Sequence, residues 1–578
     1  MTIPPAVTAA RALVADLVSR GVADIVLAPG SRSAPLAYAV AEAADAGRVT
    51  LHVRIDERAA GFLALGLSKG SEGMPVAVVT TSGTAVANLH PAVLEASHAG
   101  VPLLVLTADR PPELRGTGAN QTTEQVGIFG SAVRWAHDLG TPDERAGSVA
   151  SWRSTTARVI AAALGVTTGW PGPVHLNLPL REPLVPDGDP TFAEPLDGRP
   201  GGLPWTGLAP GPGGPPSDSG MPSFSGPALS DVPRTLVVVG DLPGPAAIWG
   251  ARAAELARRR GLPLVAEPSG GAARETAVPH GPLLLTCADW LARHRPDRVL
   301  VVGRVTLARP VAALLRDPRV DVELLTPPGP WPDPAGRARA VHPLSVLDAA
   351  DSTEPGVDPS WLTSWQDAGT RLERAVRPLL DGAWPSGLAV ADVLATTVPE
   401  GATLFVGSSN AVRDLDLASA APRATVVANR GLAGIDGCIS TAVGRALATG
   451  APTYALVGDL TFAHDAAALA IGPYERRPDL TVVVVNDDGG GIFGLLEPGE
   501  PRHAAVFDRV FGTPLGLDLE ALCAATRTPW SRADGRADLV KQLAEPPSGL
   551  RVVEVRVERS GHRDLHARLR QLAAAALG

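Results

Sequence analysis

The chain is 578 residues long, 45% hydrophobic and 19% charged, with a formal net charge of −9. At roughly 150 residues per domain this allows three or four well-buried domains. The acidic balance without a basic run excludes a nucleic-acid surface, and no apolar run approaches the roughly 18 residues of a membrane span.

Three widely spaced cysteines, Cys287, Cys438 and Cys523, make neither a disulfide framework nor a zinc-ligand set. The N-terminus has no charged segment followed by an apolar one, so a soluble cytoplasmic protein is expected.

In the first domain, apolar residues recur at helical spacing over 6–20, Gly21 stops the helix, and a strand over 23–28 runs into Pro29-Gly30-Ser31-Arg32-Ser33. The glycine and hydroxyls of that loop permit close backbone approach. Arg32 offers a planar fork to a carboxylate, or is a solvated helix-start arginine. A strand over 49–54 leads through Asp56-Glu57-Arg58 into a Gly/Ala-rich helix over 59–69. Glu57 there is either a first-turn charge on the helix dipole or a buried functional acid. A strand over 76–80 enters Thr81-Ser82-Gly83-Thr84-Ala85-Val86-Ala87-Asn88, and one over 101–106 enters Thr107-Ala108-Asp109-Arg110-Pro111-Pro112-Glu113-Leu114. Asn120 and Gln121 follow in a polar loop, and a strand over 174–178 closes the domain. Successive strand–helix units with short connections specify a doubly wound parallel sheet.

Twenty of the thirty residues from 201 to 230 are Gly, Pro or Ser. Such a composition buries too little apolar area to order itself, so 186–232 is read as a spacer. Strands over 235–240 and 298–303 belong to a second α/β domain, 233–350. Each enters a glycine, but neither has Gly-x-Gly-x-x-Gly, which argues against a dinucleotide site. Arg304 and Arg309 lie past a strand tip, within reach of a ligand or simply solvated. An amphipathic helix over 361–379, within a connecting segment 351–385, leads to the last domain, 386–578.

There a strand over 403–406 enters Gly407-Ser408-Ser409-Asn410 and Arg413, and one over 425–428 enters Asn429-Arg430-Gly431-Leu432-Ala433-Gly434-Ile435-Asp436-Gly437. An apolar run enters Gly458-Asp459-Leu460-Thr461. Another, over 481–486, enters Asp487-Asp488-Gly489-Gly490-Gly491-Ile492-Phe493, and a last strand covers 551–557. Turns of Gly, Ser and Asn at strand tips supply free N–H groups and helix N-termini, which bind a diphosphate without cationic side chains. An amphipathic helix over 465–471 is expected to cross between the strands that carry Asp459 and Asp487. These two carboxylates either cap helices or, with the Gly489 carbonyl, hold a hard divalent cation.

The Gly458-Asp459 and Asp487-Asp488 pair resembles the fingerprint of thiamine-diphosphate (ThDP)-dependent enzymes. With the loops quoted above, the chain resembles the 2-succinyl-5-enolpyruvyl-6-hydroxy-3-cyclohexene-1-carboxylate synthases of menaquinone biosynthesis over nearly its whole length outside the spacer. The resemblance implies three doubly wound α/β domains: pyrimidine-binding (1–185), central without cofactor (233–350) and diphosphate-binding (386–578). It implies a homodimer or homotetramer with active sites between subunits.

The resemblance further implies ThDP with Mg²⁺ or Mn²⁺ held by Asp459, Asp487 and Gly489. The cofactor would lie against Ser82, Gly83 and Thr84, against Gly407, Ser408 and Ser409, against Ala433, Gly434 and Ile435, and against Gly458, Leu460, Thr461, Gly491 and Ile492. Glu57 is the implied catalytic acid, sharing a proton with the pyrimidine ring, its pKa raised by burial. The implied reaction decarboxylates 2-oxoglutarate and adds the resulting carbanion to isochorismate. Both substrates carry carboxylates, which Ser31, Arg32, Arg110, Asn120, Gln121, Ser409, Arg413 and Arg430 would receive. Phe493 would extend an apolar wall beside Ile492, and Arg309 would join from the central domain.

Two positions depart from the wider signature: Leu460 stands where a glycine is usual, and Asp487 where the second metal ligand is usually Asn. Two rivals remain. The arginine set argues against a ThDP decarboxylase that merely protonates its carbanion, and retention of Glu57 with the metal loop argues against a non-catalytic scaffold.

Overall fold

The computed structural model describes residues 3–187, 199, 203–208, 229–230, 232–242, 246–348, 359–418 and 421–578; most of the expected spacer lies outside the described residues. Every strand pairing is parallel, in three sheets. The fold is α/β with three doubly wound sheets. Interior strands such as Val76–Thr80, Thr235–Val239 and Arg298–Val302 are buried at every position, because helices cover both faces.

The first sheet contains β1 (Asp24–Leu27), β2 (Thr50–Val53), β3 (Val76–Thr80), β4 (Leu103–Asp109), β5 (Trp135–Asp138) and β6 (Pro173–Pro179), in the order β2-β1-β3-β4-β6-β5. The central sheet contains β7 (Thr235–Val239), β8 (Leu264–Ala266), β9 (Arg298–Val302), β10 (Asp321–Thr326) and β11 (Ala338–Pro343), in the order β11-β10-β9-β7-β8. The third contains β12 (Thr403–Val406), β13 (Thr425–Ala428), β14 (Thr453–Gly458), β15 (Leu480–Asn486), β16 (Trp530–Arg532) and β17 (Leu550–Arg556), in the order β13-β12-β14-β15-β17-β16. First and third sheets therefore share one topology. In each, the chain reverses direction across the sheet between its first and third strands, and ligands of open α/β sheets bind at that switch point, beyond the strand C-termini.

Five strands were not read from the sequence: β5, β8, β10, β11 and β16. All but β10 lie at sheet edges. β8 is buried but only three residues long, and the other three edge strands are partly solvated, so they lack the continuous apolar run that marks the interior ones.

The chain forms two compact units, one of residues 1–221, 439–450 and 465–478, the other of 222–438, 451–464 and 479–578. In the first, helices Pro5–Ser19, Ala34–Asp45 and Ser148–Ala163 cover one sheet face around Leu13, Leu17, Leu36 and Trp152. Helix Glu57–Gly70 meets helix Cys438–Thr449 backbone to backbone. A Cβ on Gly66 would lie 2.1 Å from the Thr441 carbonyl oxygen, and one on Gly444 2.3 Å from that of Leu63. This close approach accounts for the Gly/Ala-rich face.

The helix expected over 465–471 does not form; a single 3₁₀ turn, Ala466–Leu469, stands there. Asp465 is buried, and its carboxylate accepts the Ser440 N–H at 2.7 Å and the Ser440 hydroxyl at 3.0 Å. The side chain thus caps helix Cys438–Thr449, and its own backbone turns to reach it.

In the second unit, helix Pro359–Gly382 lays Trp361, Trp365, Leu372 and Val376 into the apolar cluster of the central sheet, together with Leu569, Ala573 and Leu577 of helix His562–Leu577. Cys287, Cys438 and Cys523 are buried thiols. No helix among the described residues is long and apolar enough to cross a membrane.

Candidate active site

In the third sheet, β14 ends at Gly458, and Asp459 opens the short helix Asp459–His464, which also carries half-buried Leu460 and buried Thr461. The Asp459 carboxylate accepts the Gly489 N–H at 2.8 Å. One oxygen thus ties two strand tips together. Asp487 follows β15, and burial raises the pKa of both carboxyls. Asp459 next to it raises Asp487 further. Two neighbouring acids in such a site share a proton, or ionise together around a cation.

A Cβ on Gly491 would lie 1.8 Å from Asp487 Oδ2, so only glycine leaves this acid room. The Gly489 carbonyl, expected to be free, accepts the Gly491 N–H at 3.0 Å and keeps one lone pair for a metal. Among the described residues no group of three or more His, Cys, Asp or Glu side chains is placed to hold a metal.

Beside this pair, β12 runs through buried Gly407 and Ser408 into Ser409, at φ 70°, and helix Asn410–Leu417. Ser408 Oγ and Asn410 Oδ1 are buried without a hydrogen-bond partner. Nothing lies within 4 Å of where a Cβ on Gly458 would stand. Partnerless polar atoms, an open helix N-terminus and two paired acids on adjacent tips fit a diphosphate bridged by a divalent cation. His562 also reaches the site, its Nδ1 3.7 Å from Asp487 Oδ2. Neither Asn410 nor His562 was among the expected site residues. For Asn410 the signal was available, since it stands at a helix start after a strand; for His562, on a helix distant in sequence, none was.

Past β13, Ala433 adopts φ 58°, and Gly434 and Ile435 are partly buried beside it. Arg430 is 4% exposed; its Nε donates to Thr306 Oγ1 at 3.1 Å and its Nη2 to Thr306 O at 3.0 Å. Arg413 donates to Ser409 O at 2.6 Å. Burial, then the Arg430 and Arg309 guanidinia, lower its pKa. Arg309 nonetheless has a 71% exposed side chain, paired with Glu497 at 3.2 Å. Phe493 is partly exposed with its ring 5.6 Å from that of Phe511, and Ile492 is half-buried next to it.

In the first sheet, Glu57 is the first residue of helix Glu57–Gly70, and Asp56 is the cap, its carboxylate accepting the Ala59 N–H at 3.0 Å. Glu57 is not buried within the chain: it is half-exposed, and its carboxylate accepts from Asn88 Nδ2 at 3.4 Å. The tip of β2 that carries it also presents Ile55, 78% exposed. Arg32 is buried and donates to Leu180 O at 2.9 Å and Glu182 Oε1 at 3.4 Å, so it is no solvated helix-start residue. Arg110 donates to Ser82 Oγ. Burial, then the Arg32 guanidinium, lower its pKa.

Gln121, at φ 56°, donates from Nε2 to Ser82 O at 3.0 Å and accepts the Ser82 hydroxyl on its carbonyl at 3.1 Å. The Gly83 N–H donates to buried Gln125 Oε1 at 2.9 Å. Gln125 was not anticipated; a lone glutamine in a polar loop gives no sequence signal. Ser31, Thr84 and Asn120 are exposed on these same loops.

This combination of parallel sheets, polar switch-point tips and a paired-acid glycine pocket defines a ThDP-dependent enzyme. In agreement, residues 7–128 match the profile of the thiamine pyrophosphate enzyme N-terminal TPP-binding domain, thiamine pyrophosphate and ThDP being the same cofactor. Over nearly the full chain the sequence is similar to 2-succinyl-5-enolpyruvyl-6-hydroxy-3-cyclohexene-1-carboxylate synthases. The relative from Nocardia farcinica is 49% identical over 577 residues, spanning 98% of this chain and 99% of its own. That from Saccharopolyspora erythraea is 47% identical over 577 residues, spanning 99% of both chains. The chain belongs to the 2-succinyl-5-enolpyruvyl-6-hydroxy-3-cyclohexene-1-carboxylate synthase family.

Proposed function

We propose that the chain catalyses the reaction named by its family, decarboxylating 2-oxoglutarate and joining the remaining four-carbon unit to isochorismate in a new carbon–carbon bond. Bound ThDP supplies the electron sink that decarboxylation of a 2-oxo acid requires. The observation that carries this reading is the third sheet's switch point, where Ser408 Oγ and Asn410 Oδ1 lack partners next to the paired acids Asp459 and Asp487.

Residues 386–578 act as the diphosphate-binding domain, 1–185 as the pyrimidine-binding domain, and 233–350 as a central domain without cofactor. Asp459, Asp487 and the Gly489 carbonyl hold Mg²⁺ or Mn²⁺, and the Ser408–Asn410 tip receives the diphosphate. Glu57 shares a proton with a pyrimidine ring nitrogen of a cofactor held by the other subunit. Exposed Ile55 (78%), Leu432 (53%) and Tyr474 (98%) support a dimer or tetramer, being apolar surface that a second copy would cover. Arg413 and Arg430 receive the carboxylates of 2-oxoglutarate, and Arg32 and Arg110 those of isochorismate, because planar guanidinia bind carboxylates through two parallel hydrogen bonds.

The test is purified protein with ThDP, Mg²⁺ and 2-oxoglutarate, with and without isochorismate, products read by mass. The expected result is the joined product when both substrates are present. Release of free succinic semialdehyde at the same rate with and without isochorismate, and no joined product, would make the chain a simple decarboxylase.

A further inference from the structure

The central sheet has a switch point of its own, between β7 and β9, where a sheet of this kind ordinarily receives a ligand. A loop of the third sheet lies there instead. Arg304, just past β9, donates to the carbonyl of Arg430 at 2.5 Å and to that of Gly431 at 3.1 Å, and is itself 3.5 Å from Asp241, just past β7. Thr306 takes the Arg430 side chain, its hydroxyl oxygen and its carbonyl meeting Nε and Nη2.

Glu267, past β8 and 4% exposed, stands behind Thr306. Its Oε1 accepts the Thr306 N–H at 2.8 Å and the Leu307 N–H at 2.7 Å, and its Oε2 accepts the Thr306 hydroxyl at 2.9 Å. With Glu267 ionised, hydrogen counting fixes the direction of the relay. Thr306 Oγ1 has one hydrogen, given to Glu267, and a lone pair, given to Arg430 Nε. One edge of the guanidinium is thereby held, which fixes the plane in which the other edge meets a carboxylate.

We propose that Glu267 and Thr306 are positioning residues: the central domain, through this carboxylate–hydroxyl pair, aims Arg430 at a substrate carboxylate. The inference rests on the reading of Arg430 as a carboxylate binder. It gives the domain without cofactor a part in substrate binding.

Thr306→Val keeps the shape and removes the hydroxyl; Thr306→Ser keeps the hydroxyl. Glu267→Gln keeps an oxygen for the two backbone N–H groups but turns the other position into a donor. Thr306 Oγ1 then faces two donors, and its own hydrogen loses its acceptor. Steady-state kinetics on the ThDP- and Mg²⁺-loaded enzyme, varying each substrate in turn, should show Thr306→Val and Glu267→Gln lowering kcat/KM for one substrate by about 10-fold, chiefly through KM, as expected for a hydrogen bond to a charged group. The KM of the other substrate should stay within about twofold, Thr306→Ser should stay close to wild type, and Thr306→Val should have no further effect in an Arg430→Ala background.

If Arg430→Ala raises a KM and Thr306→Val does not, the positioning role is wrong and Arg430 keeps its own. A uniform loss for both substrates, tracking a fall in melting temperature, likewise reduces Glu267 and Thr306 to structural residues. If Arg430→Ala itself leaves both KM values unchanged, the carboxylate reading of Arg430 fails and this inference fails with it.

Discussion

The first and third sheets have the same strand order and place their polar residues at the same switch point, yet the two tips are chemically unlike. In the third, buried Asp459 stands beside partly buried Asp487, the neighbouring polar atoms lack partners, and glycine is enforced where a Cβ would strike Asp487. In the first, Ser82, Gly83, Gln121 and Arg110 bond to one another or to Gln125, and Glu57 stands half-exposed, accepting from Asn88 at 3.4 Å. One topology thus yields a tip with partnerless buried polar atoms beside two acids, and a tip whose polar groups largely bond one another with Glu57 at its half-exposed edge. The contrast matches a cofactor held at one end by ion binding and addressed at the other by one proton-sharing group.

The contrast breaks most completely at Asp459. Asp459→Ala should abolish Mg²⁺-dependent ThDP binding in calorimetry, because the diphosphate would then face Asp487 with no cation placed between them. Asp487→Asn should retain binding, since an amide oxygen still ligates and the pair no longer doubles its charge. Equal loss in both variants would remove the metal role from the pair.

At the other tip, Glu57→Gln should leave that calorimetric titration unchanged and slow turnover by a factor on the order of 10² to 10⁴, the usual range for lost acid–base catalysis. Unchanged turnover would leave Glu57 as a helix-start charge.

The arginine pairs sharpen the comparison further. Arg413→Ala should slow CO₂ release from 2-oxoglutarate alone by roughly 10- to 150-fold, the equivalent of a charge-assisted hydrogen bond. Arg32→Ala should leave that step near wild type and instead weaken the use of isochorismate. The reverse pattern would exchange the two roles.

A smaller effect concerns stability. Glu267 has its pKa raised to about 7, by burial first and the nearby Asp416 second. A carboxyl that holds its proton to higher pH when folded than when unfolded destabilises the fold progressively as pH rises from about 4.5 to about 7, with the full cost above that range. Glu267→Gln removes this dependence. Chemical denaturation should therefore show the difference, variant minus wild type, rising by on the order of 1–3 kcal/mol between pH 4.5 and 7.5. A difference that is flat with pH would mean that folding leaves the Glu267 pKa unchanged.

Much of this was legible in the sequence for a physical reason. Interior parallel strands are continuous apolar runs, and the residues just past them are confined to glycine, small hydroxyl and charged types, so Arg32, Glu57, Ser82, Asp459 and Asp487 could all be placed at strand tips. What was not legible depends on tertiary partners. The short edge strands carry no apolar run. The break at Asp465 follows from a cap on a helix some 25 residues earlier in the chain. The capture of Gly83 by Gln125, the approach of His562 and the Glu267–Thr306–Arg430 relay join segments that no local pattern connects.

The central claim is that the acid of one sheet serves the cofactor site of the other across a subunit boundary, and complementation tests it most directly. Chains carrying Glu57→Gln and chains carrying Asp459→Ala, each inactive alone, are co-expressed with different tags and the mixed dimer is purified through both. One of its two sites would combine the intact Glu57 of one subunit with the intact Asp459 of the other, so the account predicts about half the wild-type activity per dimer. A mixed dimer as inactive as its parents would place Glu57 and Asp459 of the same chain in one site and contradict the account.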